Sequence, residues 1–134
     1  IFMKDLETRV YKHLKDRNWH NLRPVDIAKS IMIEGAELLE LFQWENLSLS
    51  EVKNNKQKIK DIKSELADVI IYAIELSVLL GLDTEKIIKQ KLVQVAKKYP
   101  AKLMRQIGRS REPGTETAYW RIKKSHRRKK LENN

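Results

Sequence analysis

IEGAELLELFQW, residues 33–44, places three carboxylates, Glu34, Glu37 and Glu40, at three-residue spacing in a segment otherwise suited to burial. On a helix, positions three apart lie about 60° apart around the axis, so Glu34 and Glu37 project side by side. Glu34 shares its face with Leu38 and Leu41. A second segment, ELADVIIYAIEL at 65–76, repeats the device: Glu65 and Asp68 are neighbours on a helix face, and Asp68 lies between Ile71 and Tyr72. Carboxylates aimed into apolar company are costly unless they are protonated or compensated. If the two helices pack together, four carboxylates converge, and their mutual repulsion demands a cation.

The other residues narrow the identity of that cation. A single Glu-x-x-Glu pair is common on a solvated face, but two such pairs on the most apolar helices of the chain point to ligands. His13, His20 and His126 are scattered, and none stands three residues after a glutamate, which disfavours a di-iron carboxylate bundle. An all-oxygen donor set suits hard ions, Mg²⁺ or Mn²⁺, with room for one or two. The chain has no cysteine, so disulfides, thiolate metal sites and a cysteine nucleophile are excluded. Its four glycines, Gly35, Gly81, Gly108 and Gly114, form no phosphate-cradling loop. Gly35, beside Glu34, reads as a place where another helix backbone comes close.

The remaining text is helical. Leu6, Val10 and Leu14 recur at four-residue spacing and predict an amphipathic helix from Met3 to about Arg17, ending near Asn18. Pro24 followed by Asp26 opens a second helix, expected to reach Trp44. The stretch 46–57 is polar, with Ser48 and Glu51 spaced as a capping box for a short turn. A long helix is predicted from about Ile59 to Leu80, enclosed by others because it is apolar on nearly every side, and ended by Gly81. A fourth starts at Asp83–Thr84 and stops by Tyr99, before Pro100. No alternating strand is evident, so the fold class is all-α, a four-helix bundle. The segment 66–82 contains Asp68 and Glu75 and is too short and too charged for a membrane span, and the charged N-terminal stretch lacks the apolar core of a secretory signal. The expected location is the cytoplasm.

The net charge of +10 is unevenly spread. Residues 105–134 hold ten Lys or Arg against three Glu, a surplus of seven, which leaves +3 for residues 1–104. The domain is therefore expected over 3–104, followed by a basic, loosely ordered tail over 105–134.

Glu34-x-x-Glu37, 27 intervening residues, then Glu65-x-x-Asp68 resembles the signature of the all-α nucleoside triphosphate pyrophosphohydrolases, the MazG-like family that includes the dCTP pyrophosphatases. RNW at 17–19, EGAELLELFQW at 34–44, ELADVIIY at 65–72 and KLVQVAKKYP at 91–100 extend the resemblance over roughly residues 3–104. It implies Mg²⁺-dependent hydrolysis of a (deoxy)nucleoside triphosphate to the monophosphate and pyrophosphate, in nucleotide-pool clean-up. Glu34, Glu37, Glu65 and Asp68 would be the metal ligands. Glu40 would be a base or a second-metal ligand, with a plain surface charge as the equal alternative. Trp19, Trp44 and Tyr72 would line the base pocket, although large core residues account for the tryptophans too. Lys91 and Lys98 would meet phosphates. Val95 stands where family members commonly place an asparagine, and valine donates no hydrogen bond, which bears on substrate choice. Glu75 is no family ligand and reads as a buried partner of a lysine or a subunit contact. The resemblance also implies a homodimer or homotetramer, here built on helices 24–44 and 59–80.

Two other readings remain. TAYWRIKKSHRRKK in the tail joins aromatics to a basic run, so the chain could be a helical scaffold that engages nucleic acid through 105–134, with structural carboxylates. Alternatively, Val95 marks a nucleotide sensor that binds without turnover.

Overall fold

The computed structural model describes residues 2–107 and 118–133, and among them all regular structure is helical. The chain divides into two compact units, residues 1–85 and 86–134. No helix is long and apolar enough to cross a membrane among the described residues.

The first unit is built from α1 (Phe2–Asp16), α2 (Pro24–Glu40), the short α3 (Leu49–Lys53) and α4 (Lys56–Leu79). α2 packs most extensively on α4, and α1 and α3 also rest against α4. The ends of these helices follow from local chemistry. Asn18 adopts a left-handed φ of 59°. Its N–H reaches Lys15 O at 3.0 Å, and the Trp19 N–H reaches Leu14 O at 2.8 Å, the paired bonds of a Schellman stop. Gly81, at φ 68°, closes α4 in the same manner, with Leu82 N–H on Ser77 O at 2.9 Å. Ser48 caps α3 by accepting from Glu51 N–H at 3.2 Å, and Asn55 caps α4 by accepting from Lys58 N–H at 3.0 Å. Both caps satisfy donors that the first helical turn leaves open.

α2 is shorter than its sequence implies. It stops at Glu40, and residues 41–44 continue as turns, with Leu41 N–H on Leu38 O and Phe42 N–H on Leu39 O. The cause lies on α4. Lys58 donates to Leu41 O at 2.6 Å, pairs with Glu45 at 2.9 Å and sits 5.7 Å from the Phe42 ring centroid, so a lysine charge covers the negative end of the α2 dipole. Leu14, Ile27 and Ile74 form the buried core, and a buried hydroxyl contact of 2.7 Å joins Ser77 to Thr84. Lys4 pairs with Asp83 at 3.4 Å across the surface of this unit.

Two expectations are corrected. α4 is not enclosed within one chain: Leu66, Ile70 and Ile71 are exposed, because only part of its circumference is covered by α1, α2 and α3. No backbone closes on Gly35 either. A Cβ there would meet nothing within 4 Å.

The second unit takes its residues from α5 (Thr84–Lys98), whose first two residues belong to the first unit, and from α6 (Ala101–Ile107) and α7 (Ala118–Glu132). α6 packs on α7. Where the sequence reads as a loosely ordered tail, residues 118–132 form a fifteen-residue helix. Lysine, arginine and leucine are good helix formers, and the Tyr119 ring stacks on Tyr99 at a centroid distance of 5.0 Å. The Pro113–Gly114 pair of the tail lies outside the described residues.

Candidate metal and nucleotide site

α2 and α4 bring three of the predicted carboxylates together. Ligand oxygens of Glu34, Glu37 and Glu65 all lie within 4.8 Å of one another. The Glu34 and Glu65 carboxyls are shifted by this crowding. The Glu34 carboxyl is raised above its ordinary value, first by a shared hydrogen bond with Glu37, then by lost hydration and by the charges of Glu37, Asp68 and Glu65. Glu65 is raised first by burial, then by the charge of Glu37 and a hydrogen bond to it, with Asp68 and Glu40 adding repulsion. Asp68 and Glu40 are thus close enough to act electrostatically on the cluster.

One oxygen bears on what the cluster can hold. Glu65 Oε2 is buried and has no hydrogen-bond partner. A sealed carboxylate oxygen without a donor is unfavourable, and three carboxylates at this separation repel. A divalent cation answers both conditions, and a donor set made only of carboxylate oxygens fits a hard ion such as Mg²⁺ or Mn²⁺. The residues present therefore fit the metal that their spacing predicts.

Beside this cluster the first unit lines an open cavity of about 620 Å³, with Asp68 on its wall. α1 contributes Val10 and His13, and Trp19 follows from the Schellman turn. α2 contributes Ile27 and Ser30, while Asp68, Tyr72 and Glu75 come from one face of α4. The Trp19 ring meets His13 edge-on at 6.2 Å. The Tyr72 hydroxyl is held above its usual phenol value by burial, with the charges of Glu75, Glu34 and Asp68 adding to it and a hydrogen bond with Ser30 opposing it. The wall is thus largely apolar, with an aromatic pair and a few polar groups, the composition of a site for a planar organic ligand.

The predicted residues divide accordingly. Glu34, Glu37 and Glu65 gather at the cluster, Asp68 stands outside that trio on the lining of the adjoining cavity, and Trp19 and Tyr72 line that cavity too. Glu40 is exposed at the end of α2. Trp44 is 86% exposed and lines no part of this cavity, so it is not a core residue. Lys91 and Lys98 belong to the second unit, where they line a separate cavity with Val95, Tyr99, His126 and Arg127. Glu75 pairs with no lysine among the described residues, so the first of the two roles expected of it, the lysine pair, is not found. It stands on the cavity wall because its position, seven residues after Asp68, repeats the α4 face.

Sequence reading missed His13, Ser30 and Asp26 as lining residues. Their signal was weak: Asp26 and Ser30 are four residues apart on α2, as Arg9 and His13 are on α1, but nothing local says that these faces meet.

The sequence profile described as MazG-like family matches residues 29–110. Among solved structures, the chain resembles a pyrophosphatase from Archaeoglobus fulgidus, with a TM-score of 0.64 and 32% identity over 75% of this chain and 94% of that one. No curated protein matches.

Proposed function

The chain belongs to the MazG-like family, and from that premise we propose that it is a metal-dependent pyrophosphohydrolase of (deoxy)nucleoside triphosphates. The observation that carries this reading is the convergence of Glu34, Glu37 and Glu65 from two helices around an unpartnered carboxylate oxygen. The A. fulgidus relative's designation as a pyrophosphatase supports it.

Glu34, Glu37 and Glu65, with Asp68 beside them, would hold the ion. Mg²⁺ is the expected ion, and Mn²⁺ would serve in its place. When bound, it supplies positive charge against the phosphates and makes a water more acidic. The chain's own residues do the rest. A carboxylate of the cluster not engaged as a ligand, or Glu40, accepts the proton of the attacking water. The water oxygen bonds to phosphorus as the bond to the departing bridging oxygen breaks, and pyrophosphate leaves with that electron pair. Trp19 and Tyr72 hold the base against the apolar wall of the cavity, which orients the triphosphate toward the acidic end. Lys91 and Lys98 are assigned to substrate phosphates on the resemblance alone. A cytoplasmic enzyme that removes unwanted nucleotides is the biological counterpart of this chemistry.

The test is pyrophosphate release from a panel of common and modified nucleoside triphosphates with Mg²⁺ or Mn²⁺. Glu37→Gln and Asp68→Asn should each lower turnover by at least about 100-fold, since even outer-sphere partners of a metal cost about 10–100-fold. No release from any nucleotide by folded wild-type protein at saturating metal would refute the reading.

A second reading is favoured by α7, which carries Arg121, Lys123, Lys124, Arg127, Arg128, Lys129 and Lys130 within four turns. Such a helix matches the charge of a nucleic-acid backbone. Binding that weakens steeply with salt and disappears on removal of 105–134 would establish it.

A further inference from the structure

Glu75 is 5% exposed and lies on the cavity wall two helical turns beyond Asp68, yet it makes no hydrogen bond or ion pair among the described residues. Burial pushes its carboxyl above the ordinary range, and no neighbouring cation opposes that. Arg9, on the same lining, is engaged with Asp5 at 3.1 Å. The other groups facing this part of the cavity are Tyr72, Ser30, His13 and Asp26. A carboxyl group on a nearly buried residue, left without a partner, is an expensive feature even in a wall that also carries Asp26, Ser30, Asp68 and Tyr72. Such a group has a use where a ligand brings the missing partner.

We propose that the Glu75 carboxyl accepts a hydrogen bond from the exocyclic amino group of the substrate base, so that the cavity selects amino-bearing bases over their oxo counterparts. This rests on the reading of the cavity as the nucleotide's base pocket. The geometry is consistent along α4. Asp68 marks the acidic end of the cavity, and Glu75 is about 10 Å farther along the helix by its rise, on the same face. A nucleotide whose phosphates lie at the carboxylate cluster therefore directs its base toward Glu75, between Trp19 and Tyr72. An oxo group presented there would set two acceptors against each other. An amino group would satisfy both. Discrimination by a hydrogen bond to a group of the site exceeds what shape alone achieves.

Two nucleoside pairs isolate the group concerned: cytidine against uridine, and adenosine against inosine. Each pair exchanges an amino for an oxo substituent at one ring position. Binding of the four nucleosides to the full chain, without metal, is read by Trp fluorescence and by calorimetry. kcat/KM is measured separately for the four triphosphates with Mg²⁺. The amino member of each pair should be preferred by about tenfold or more. Glu75→Met should bring that ratio close to one, while Glu75→Gln, which keeps an acceptor oxygen, should retain part of the preference. A thermal melt accompanies each variant. Removing an unpartnered buried carboxyl should leave Glu75→Met at least as stable as the parent, whereas a merely structural role would lower its Tm. If Glu75→Met does not fold, the isosteric Glu75→Gln carries the comparison. Hydrolysis with a base preference that both variants leave unchanged would overturn the proposal and keep the pyrophosphohydrolase reading. A Glu75-dependent amino preference in nucleoside binding without any hydrolysis would keep the proposal and overturn that reading. Equal binding of both members of each pair by the parent would overturn the proposal.

Discussion

Glu34 on α2 and Glu65 on α4 bring ligand oxygens within 4.8 Å of each other, and Glu65 Oε2 has no hydrogen-bond partner in its buried position. The helix pair is therefore held together by its apolar faces against a local repulsion. A cation converts that repulsion into attraction, and this has measurable consequences.

Mg²⁺ or Mn²⁺ should stabilise the native chain, since an ion bound only by the folded state adds stability by mass action, about 2.7 kcal/mol at one hundred times Kd. Thermal melts with metal and with chelator measure the shift. Glu65→Gln should remove most of it. An equal shift in the variant would place the ion elsewhere.

Without metal, pH should act in an unusual direction. Glu34 and Glu65 both have folded-state pKa values raised above 4.5. A raised carboxyl holds its proton longer when folded, so its stability contribution is complete below the unfolded value and is lost as pH climbs through the folded one. In chelator, Glu65→Gln and the parent should therefore have similar stability at acidic pH, and the variant should gain relative to the parent as pH rises. Saturating Mg²⁺ should abolish this trend. A variant that loses ground to the metal-free parent with rising pH would contradict the arrangement.

The small core should be sensitive to truncation. Leu14, on α1, is fully buried, and Leu14→Ala should cost about 2–5 kcal/mol by denaturant unfolding. Ser77→Ala strands the Thr84 hydroxyl, its buried partner at 2.7 Å, and should cost about 1–3 kcal/mol.

Met32, Ile33 and Leu39 on α2 and Leu66 and Ile70 on α4 are all exposed in the single chain, with Met32 at 74%. Apolar exposure on this scale is the mark of an association surface. We expect a homodimer or homotetramer by light scattering at micromolar concentration. Leu39→Glu or Ile70→Glu should shift the mass toward the monomer, and a monomeric parent would refute the expectation.

The all-α class and the helix stops at Asn18 and Gly81 were legible in the sequence because they arise from local causes. Apolar periodicity needs only the helix repeat, and a left-handed residue needs only a side chain that tolerates it. The pairing of Glu34 and Glu37 on one face was equally local. The early end of α2 was not, because Lys58 reaches Leu41 O from a different helix. The helical form of 118–132 was missed because a long basic run reads as solvated chain until Tyr99 supplies the stacking partner for Tyr119.

What the sequence determined by itself was the inventory: two pairs of carboxylates on apolar helices, and no histidine or thiol to join them. Which groups share a space was decided by tertiary packing. The α2–α4 contact brings Glu34, Glu37 and Glu65 to one point, and the approach of α1 turns His13 and Trp19 toward Tyr72 and Glu75. Periodicity fixes the direction of a side chain relative to its own helix axis and says nothing about which other axis lies opposite. That is why Glu75, indistinguishable in sequence from a buried ion-pair partner, acquires its place on a cavity wall only when the helices are assembled.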